Sequence, residues 1–331
     1  MTSTLWMATG GLSPLAEAVP PSCRRTVDAP AAVVVRHDEA IVETPTWAAA
    51  GATHFVPAFC ALSTRPFSVR LELSVRREGA WSPWVAGVSL GPASFPPAPS
   101  HAGIDVDVDV FGASAGVEAV RVRARLRGPS PGAVLEAPWA LALSACAPGP
   151  VAAEDRTADP PGVRLAVPAR SQVESGGAIG ARICSPTAVA MVLDFWGRAV
   201  SLEALAAEMF HPATDLYGVW PAAILAAGRQ GVAGYLLRFP DWTAARWCLA
   251  RGLPLIASVR YGAGELTGAA VAETPGHLVV LTGWERDEVL VNDPAAPLAG
   301  GVARRHRREE LTRIWLERSG VAYVLAPPGQ G

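Results

Sequence analysis

A cysteine directly before a predicted helix is the first candidate for covalent chemistry. Cys184 precedes an apolar segment, 188–196, whose spacing fits one buried helix face. Ser185 is predicted as the N-cap, Pro186 as the first helical residue and Gly197 as the residue that ends the helix. The free N–H groups and positive dipole end of such a helix stabilise a thiolate. Cys184 is therefore a candidate nucleophile, although a buried core cysteine is the commoner explanation for such a position.

A histidine and a carboxylate that could serve this cysteine lie in one predicted hairpin. His277 begins a predicted strand that ends at 283, and Asp293 follows a second strand, 289–292. Folding about the polar turn between the strands brings the two side chains together. A carboxylate near a histidine fixes its tautomer and stabilises the imidazolium. We expect Nδ1 of His277 to bond Asp293 and the other ring nitrogen to face Cys184.

Four segments of the sequence carry a resemblance to a known family. They are Gln172, Cys184-Ser185-Pro186-Thr187, Gly276-His277-Leu278-Val279-Val280 and Val291-Asn292-Asp293-Pro294. Through them, residues 167–327 resemble papain-fold cysteine peptidases of the double-glycine-leader type, especially the stand-alone bacterial relatives of the peptidase domains in bacteriocin exporters.

The resemblance implies an α+β papain-like domain and a role for each matching residue. Cys184 would be the nucleophile, His277 the general base and acid, and Asp293 the residue that orients the histidine. Gln172 would donate its side-chain amide to the oxyanion. Hydrolysis of a peptide or protein substrate by these groups requires neither a cofactor nor a metal.

Two other functions remain open on the same residues. Acyl transfer or transpeptidation would use the same triad, and the sequence does not separate it from hydrolysis. A catalytically degenerate peptide-binding module is the alternative outside enzymes, and the intact set of Gln, Cys, His and Asp argues against it.

Loops before a helix predicted over 220–229 and before His277 are candidates for substrate binding. Tyr217 and Trp220 fall in the first loop, and Gly276 ends the second, which is long and rich in glycine. Long loops of this kind often contact substrates. A packed tryptophan and an ordinary flexible loop are the alternatives.

Composition and charge restrict the other partners. The formal net charge of −2 argues against a nucleic-acid partner. Five cysteines without paired spacing argue against a zinc site. No run approaches the length of a membrane span, and the first twenty residues make a poor secretory signal. The chain as written is expected to be cytoplasmic, with secretion as the alternative if the true start lies upstream.

The periodicity of the chain changes near its middle and predicts two domains. Residues 1–29 are assigned to an N-terminal tail, 30–147 to an all-β antiparallel sandwich, 148–164 to a linker and 165–331 to the papain-like peptidase domain. The sandwich rests on alternating strands such as 67–76, 104–110 and 120–126. Each half is expected to bury its own core.

Two features of the predicted sandwich have alternative interpretations. An acidic row at 105, 107 and 109 is expected to pair with the arginines 121, 123 and 125 on a neighbouring strand, in preference to a calcium site. Trp81 and Trp84 are expected to pack against the domain. A weaker alternative is that they form a platform for glycan or cell-surface contact.

Overall fold

The computed structural model describes residues 2–147, 149–151 and 161–329. Its first half contains two antiparallel sheets. The first has the strand order β1-β12-β5-β10-β9, and the second has the order β2-β3-β11-β6-β7, with β4 also on β11 and β8 on β6. In chain order the strands are β1 (Thr2–Gly10), β2 (Ala32–Val35), β3 (Glu39–Glu43), β4 (Trp47–Ala48), β5 (His54–Ala61), β6 (Ser68–Arg77), β7 (Ala80–Trp81), β8 (Val85–Leu90), β9 (Ile104–Asp107), β10 (Val110–Ala113), β11 (Ala119–Arg127) and β12 (Trp139–Ala147).

The alternating sequence of β11 explains how these sheets meet. Its apolar residues from Val120 to Leu126 are buried, and the arginines between them are partly exposed on the other face. The apolar face belongs to a buried cluster that also contains Phe55 and Phe59 of β5 in the first sheet. Burial of this shared cluster holds the two sheets against each other. A short helix, α1 (Pro131–Val134), precedes β12.

The predicted N-terminal tail is wrong for residues 2–10. Strand β1 pairs with β12 over nine positions, from Thr2 opposite Ala147 to Gly10 opposite Trp139. Most of its residues are buried on both faces, so the strand lacks the alternation by which the other strands are recognised. The predicted linker lies largely outside the described residues, and its end, Val163–Arg164, forms strand β13 on β16 of the third sheet.

The acidic row does not pair as the sequence predicted. Residues 104–110 form two strands, β9 and β10, joined by a tight turn in which Val108 has φ 52°. This hairpin lies at the edge of the first sheet, whereas the arginines belong to β11 in the second. The arginines are paired instead with glutamates of the second sheet: Arg121 with Glu43, Arg123 with Glu72 and Arg125 with Glu39.

The two tryptophans pack against these arginines. The Arg121 guanidinium lies 4.5 Å from the Trp81 ring centroid and 4.8 Å from that of Trp84. Arg123 lies 4.4 Å from Trp84. The packing agrees with the preferred interpretation, and glycan contact through this surface stays a prediction.

The second half is built on one antiparallel sheet with helices on it. The strand order is β14-β19-β15-β16-β17-β18, and β13 also pairs with β16. The remaining strands are β14 (Ala233–Arg238), β15 (Leu255–Tyr261), β16 (Thr274–Glu285), β17 (Glu288–Asn292), β18 (Ala303–Arg307) and β19 (Val321–Ala326). The helices are α2 (Gln172–Ser175), α3 (Cys184–Phe195), α4 (Leu202–Met209), α5 (Trp220–Arg229), α6 (Trp242–Ala250) and α7 (Arg308–Leu311). No helix of the described residues is long and apolar enough to cross a membrane.

The expectation of two separate cores is wrong. One buried cluster joins Leu5, Met7 and Val56 of the first half to Ile224 and Tyr235 of the second. Polar contacts cross the same boundary: the Tyr235 hydroxyl donates to the Ala18 carbonyl at 2.6 Å, and Arg229 donates to the Phe67 carbonyl at 3.0 Å. The first sheet has both faces covered, one by the second sheet and one by α5 and β14.

Candidate active site

Helix α3 begins at Cys184 itself, two residues earlier than the sequence predicted. Ile183 is the N-cap residue, so Ser185 is not the cap. Ser185 is fully buried, and its hydroxyl is 3.2 Å from the hydroxyl of Tyr323. Gly197 ends the helix with φ 71°, as expected of a residue after a C-cap. The thiol therefore lies in the first turn, where backbone N–H groups have no partner within the helix.

His277 and Asp293 meet through the hairpin of β16 and β17. The hairpin turns at Arg286, which has φ 54°, and pairs Val280 with Asn292. Asp293 thus follows the strand end only a few positions from His277 on the partner strand. The His277 Nε2 atom lies 2.7 Å from Asp293 Oδ1, and both side chains are buried.

The ring nitrogen that contacts Asp293 differs from the one predicted. Nε2 faces the carboxylate, so Nδ1 is left for the Cys184 thiol. The spacing of residues in the sequence places the histidine near the carboxylate but does not specify which ring nitrogen faces it.

A glycine sets the local geometry of this hairpin. The pairing of β16 with β17 shifts between Leu281 and Gly283, where Gly283 has φ 155°. A Cβ atom at 283 would lie 1.9 Å from the Val163 carbonyl oxygen. Glycine therefore allows β13 to approach the hairpin closely.

The electrostatics of the three groups favour an ion pair. Burial alone would raise the pKa of Cys184, but its hydrogen bond with His277 and the histidine's charge lower it overall. Burial would lower the pKa of His277, but its contacts with Asp293 and Cys184 raise it to about 10. The pKa of Asp293 is lowered despite burial, because it accepts from His277 and from the Ala295 N–H. A thiolate beside an imidazolium is the state these shifts favour.

The other four cysteines have the opposite shift. Burial raises the pKa of Cys60 to about 12 and that of Cys23 to about 11. The same cause raises the pKa values of Cys146 and Cys248. Cys184 thus differs from every other thiol of the chain in the direction of its shift.

Gln172 is held next to this group by the loop that follows Asp293. Gln172 donates its backbone N–H to the Pro294 carbonyl at 2.8 Å, and the Ser171 hydroxyl donates to the Ala296 carbonyl at 2.5 Å. Ser171 also caps α2, accepting from the N–H groups of Val173 and Glu174. The Gln172 side chain is 4% exposed, and its Oε1 atom has no hydrogen-bond partner among the described residues.

Sequence reasoning missed Ser171 as the residue that anchors Gln172. The signal was present, because Ser171 and Glu174 have the spacing of a capping box. In the structure Glu174 departs from that motif and accepts from the Ala299 N–H at 2.9 Å.

A cavity of about 760 Å³ brings the predicted residues together. Cys184, His277 and Gln172 line it, and Asp293 lies behind the histidine. The lining also includes all three predicted substrate-binding residues: Tyr217, Trp220 and Gly276.

Tyr217 is fixed in this wall by its neighbours. Its ring lies 4.8 Å from that of Phe210, and the Arg182 guanidinium lies 5.4 Å from it. Arg182 is also paired with Asp215 at 2.9 Å. The loop before α5 is therefore tied to the segment that leads into Cys184.

Part of the cavity comes from the first half of the chain, which sequence reasoning did not predict. The turn 107–110 between β9 and β10 lines the same space as Cys184. This contribution depends on packing between the halves, for which the sequence carries no local signal. Among the described residues, no group of three or more His, Cys, Asp or Glu side chains could hold a metal ion.

Comparison with known protein families finds a match to the second half of the chain. Residues 164–323 match the model of the Peptidase_C39 like family. The match confirms the resemblance of this part of the chain to papain-fold, C39-like peptidases of the double-glycine type.

Two solved structures are similar to the same half. One is a double glycine motif protease from an AMS/PCAT transporter in complex with the leader peptide, with 19% identity, a TM-score of 0.34 and coverage of 51% of this chain and 99% of that one. The other is a C39-like peptidase from Bacillus anthracis, with 17% identity, a TM-score of 0.39 and coverage of 50% and 98%. No curated protein matched the chain.

Proposed function

We propose that this protein is a cysteine peptidase that hydrolyses peptide bonds through Cys184, His277 and Asp293. The observation that carries the proposal is the placement of Cys184, in the first turn of α3, in one cavity with His277, whose Nε2 atom lies 2.7 Å from Asp293. The lowered pKa of Cys184 agrees with this arrangement. A thiolate is the nucleophilic form of cysteine, and a nearby imidazolium supplies the proton that a leaving amine needs.

The reaction proceeds by acylation and deacylation. The Cys184 thiolate attacks the peptide carbonyl carbon, and the new C–S bond places negative charge on the carbonyl oxygen. When the C–N bond breaks, His277 gives the Nδ1 proton to the departing amine, leaving a thioester. Water then attacks the thioester, His277 takes a proton from it, and the acid leaves as the Cys184 thiolate and the imidazolium are restored.

Asp293 acts on this cycle through the histidine. Its Oδ1 atom accepts from Nε2 at 2.7 Å, which keeps Nδ1 directed away from the carboxylate. The carboxylate also stabilises the positive charge that His277 carries before acylation. Asp293 is therefore the orienting member of the triad.

Gln172 supplies the oxyanion donor in this proposal. The Gln172 backbone N–H and the hydroxyl of the preceding residue, Ser171, are hydrogen-bonded to the 294–296 loop. These bonds hold the Gln172 side-chain amide at the cavity. The second donor is the Cys184 backbone N–H at the start of α3. Two donors directed at the developing charge are the usual form of an oxyanion hole.

The remaining residues of the cavity bind the substrate chain. Tyr217 and Trp220 line the cavity together, and Gly276 lines it next to His277. A residue without a side chain at 276 leaves space for a substrate backbone beside the histidine. We place the chemistry in residues 165–331 and assign the two sheets of the first half to an accessory sandwich that begins with β1.

A thiol-directed activity probe and a peptide library test this function together. We expect the probe to label Cys184 and the library to yield cleaved products from a subset of peptides. Product masses distinguish hydrolysis from acyl transfer, because transfer to an added amine gives a new amide instead of an acid. Labelling without cleavage of any peptide would contradict a peptidase and indicate the binding module.

A further inference from the structure

The turn of the β9–β10 hairpin, which belongs to the first half of the chain, lines the proposed catalytic cavity. Its turn holds Val108 in the left-handed region at φ 52°, a conformation that is unfavourable for a β-branched residue. Val108 packs on the core of the two sheets, and Val110 packs on the core that continues into the peptidase half. The turn is therefore wedged between the halves, and the surrounding structure maintains its strained backbone.

Asp109 in this turn completes a helix that belongs to the other half. Helix α5 begins after Val219, whose side chain cannot accept a hydrogen bond and caps nothing. Asp109 supplies the missing acceptor across the boundary: its Oδ2 atom accepts from the Trp220 N–H at 2.6 Å. A carboxylate at the start of a ten-residue helix is stabilised by the helix dipole and satisfies one of the free N–H groups.

The position of this bond connects it to substrate binding. Asp109 and Trp220 both line the cavity that contains Cys184, and the Tyr217 loop leads directly into Val219. Asp109 is 8% exposed, and burial raises its pKa to about 7 despite the bond from Trp220. Because Asp109 is buried, its hydrogen bond from the Trp220 N–H fixes the start of α5 more firmly than a bond to an exposed carboxylate would.

We propose that Asp109 is a positioning residue through which the first half of the chain sets the substrate-binding wall formed by Tyr217 and Trp220. The positioning of Trp220 by Asp109 is independent of the proposed peptidase function, whereas the expected effect on KM rests on it. Asp109 does not touch the reacting atoms, so it acts on substrate binding and leaves the reactivity of Cys184 unchanged.

Hydrogen–deuterium exchange resolved to single amides tests the positioning without reference to activity. The Trp220 amide is the first of its helix and would exchange freely without a partner. We expect it to be protected in the wild-type protein and to exchange about tenfold faster in Asp109→Ala, with Asp109→Asn near wild type because its amide oxygen still accepts. Free exchange of this amide in the wild-type protein would overturn the proposal, whether or not any variant folds.

Kinetics on a cleaved peptide test the consequence. Asp109→Ala is expected to raise KM about tenfold with little change in kcat, and Asp109→Asn to restore most of the affinity. Asp105→Ala, an exposed acidic residue of the same hairpin outside the cavity, is the matched control. An unchanged KM in Asp109→Ala, or a fall in kcat together with slower alkylation of Cys184, would overturn the proposal.

The two proposals fail in different ways. If the wild-type protein cleaves no peptide, the proposed function is wrong, while exchange at Trp220 still decides the role of Asp109. If peptides are cleaved but Asp109→Ala changes neither exchange nor KM, the positioning role is wrong and the peptidase stands.

Discussion

The Nε2 atom of His277 and the Oδ1 atom of Asp293 lie 2.7 Å apart in a site where both side chains are buried. The same oxygen accepts from the Ala295 N–H at 2.9 Å, so the carboxylate is fixed from two sides. A fixed, buried carboxylate holds the imidazole in one orientation and favours its charged form. In the proposed mechanism, the reactivity of Cys184 therefore depends on a residue that it does not contact.

Removal of this carboxylate should change the pH dependence of Cys184. In Asp293→Ala the imidazolium loses its acceptor, so the pKa of His277 falls from about 10. The Cys184 thiolate is then less stabilised by the positive charge of His277, so the pKa of Cys184 rises. We expect the midpoint of the alkylation rate against pH to move upward. Glu203→Ala, an exposed residue of α4, is the control, and an unchanged midpoint in Asp293→Ala would contradict the coupling.

Selective labelling follows from the opposite shifts of the thiols. The pKa of Cys23 is raised to about 11, whereas that of Cys184 is lowered from its ordinary value of 9.0. At a pH below both pKa values, the thiolate fraction of Cys23 is therefore about 100-fold smaller than that of Cys184, or smaller still. Iodoacetamide at mildly acidic pH should therefore modify Cys184 first in the folded protein, as peptide mapping will show. The control is the same reaction in urea, where all five cysteines should react alike. Equal labelling of all five in the folded protein would refute the assignment.

Gln172→Ala should affect turnover far more than binding. An oxyanion donor acts mainly in the transition state, so kcat should fall about 10²–10³-fold with little change in substrate affinity. Gln230→Ala, at the end of α5 and outside the cavity, is the matched control. An unchanged kcat in Gln172→Ala would remove this residue from the site.

Removal of the first half should destabilise the second. A fragment of residues 164–331 would expose the faces of α5 and β14 that now pack on the first sheet. It would also lack the Ala18 and Phe67 carbonyls that accept from Tyr235 and Arg229. We expect poor solubility and increased binding of an apolar dye relative to the full chain. A soluble fragment that binds no dye and retains rapid labelling of Cys184 would contradict a shared core.

The sequence predicted most of the second half because its signals are local. The helix predicted over 220–229 has the observed bounds of α5, and the predicted hairpin that carries His277 pairs β16 with β17. Motif spacing also identified Cys184, His277 and Asp293 as residues that could meet, and in the structure His277 contacts both of the others. Strand β1 was missed because burial on both faces removes its alternation.

The remaining errors concern contacts between distant segments. The orientation of the His277 ring depends on the packing of its strand, and the partners of the β11 arginines depend on which sheet each strand joins. Asp109 was read as part of an acidic strand face, whereas it caps a helix that begins 111 residues later. Neither residue spacing nor periodicity contains this information.

Turnover of a library-selected peptide by Cys184→Ala, compared with Cys248→Ala, tests the central claim most directly. Cys248 lies buried in α6 and has a raised pKa, so its replacement removes a thiol outside the cavity. Both variants should first show a cooperative thermal transition. We then predict that Cys184→Ala lowers kcat at least about 10⁴-fold and still binds the peptide, while Cys248→Ala cleaves at a rate near wild type. Equal turnover by the two variants would show that Cys184 is not the nucleophile.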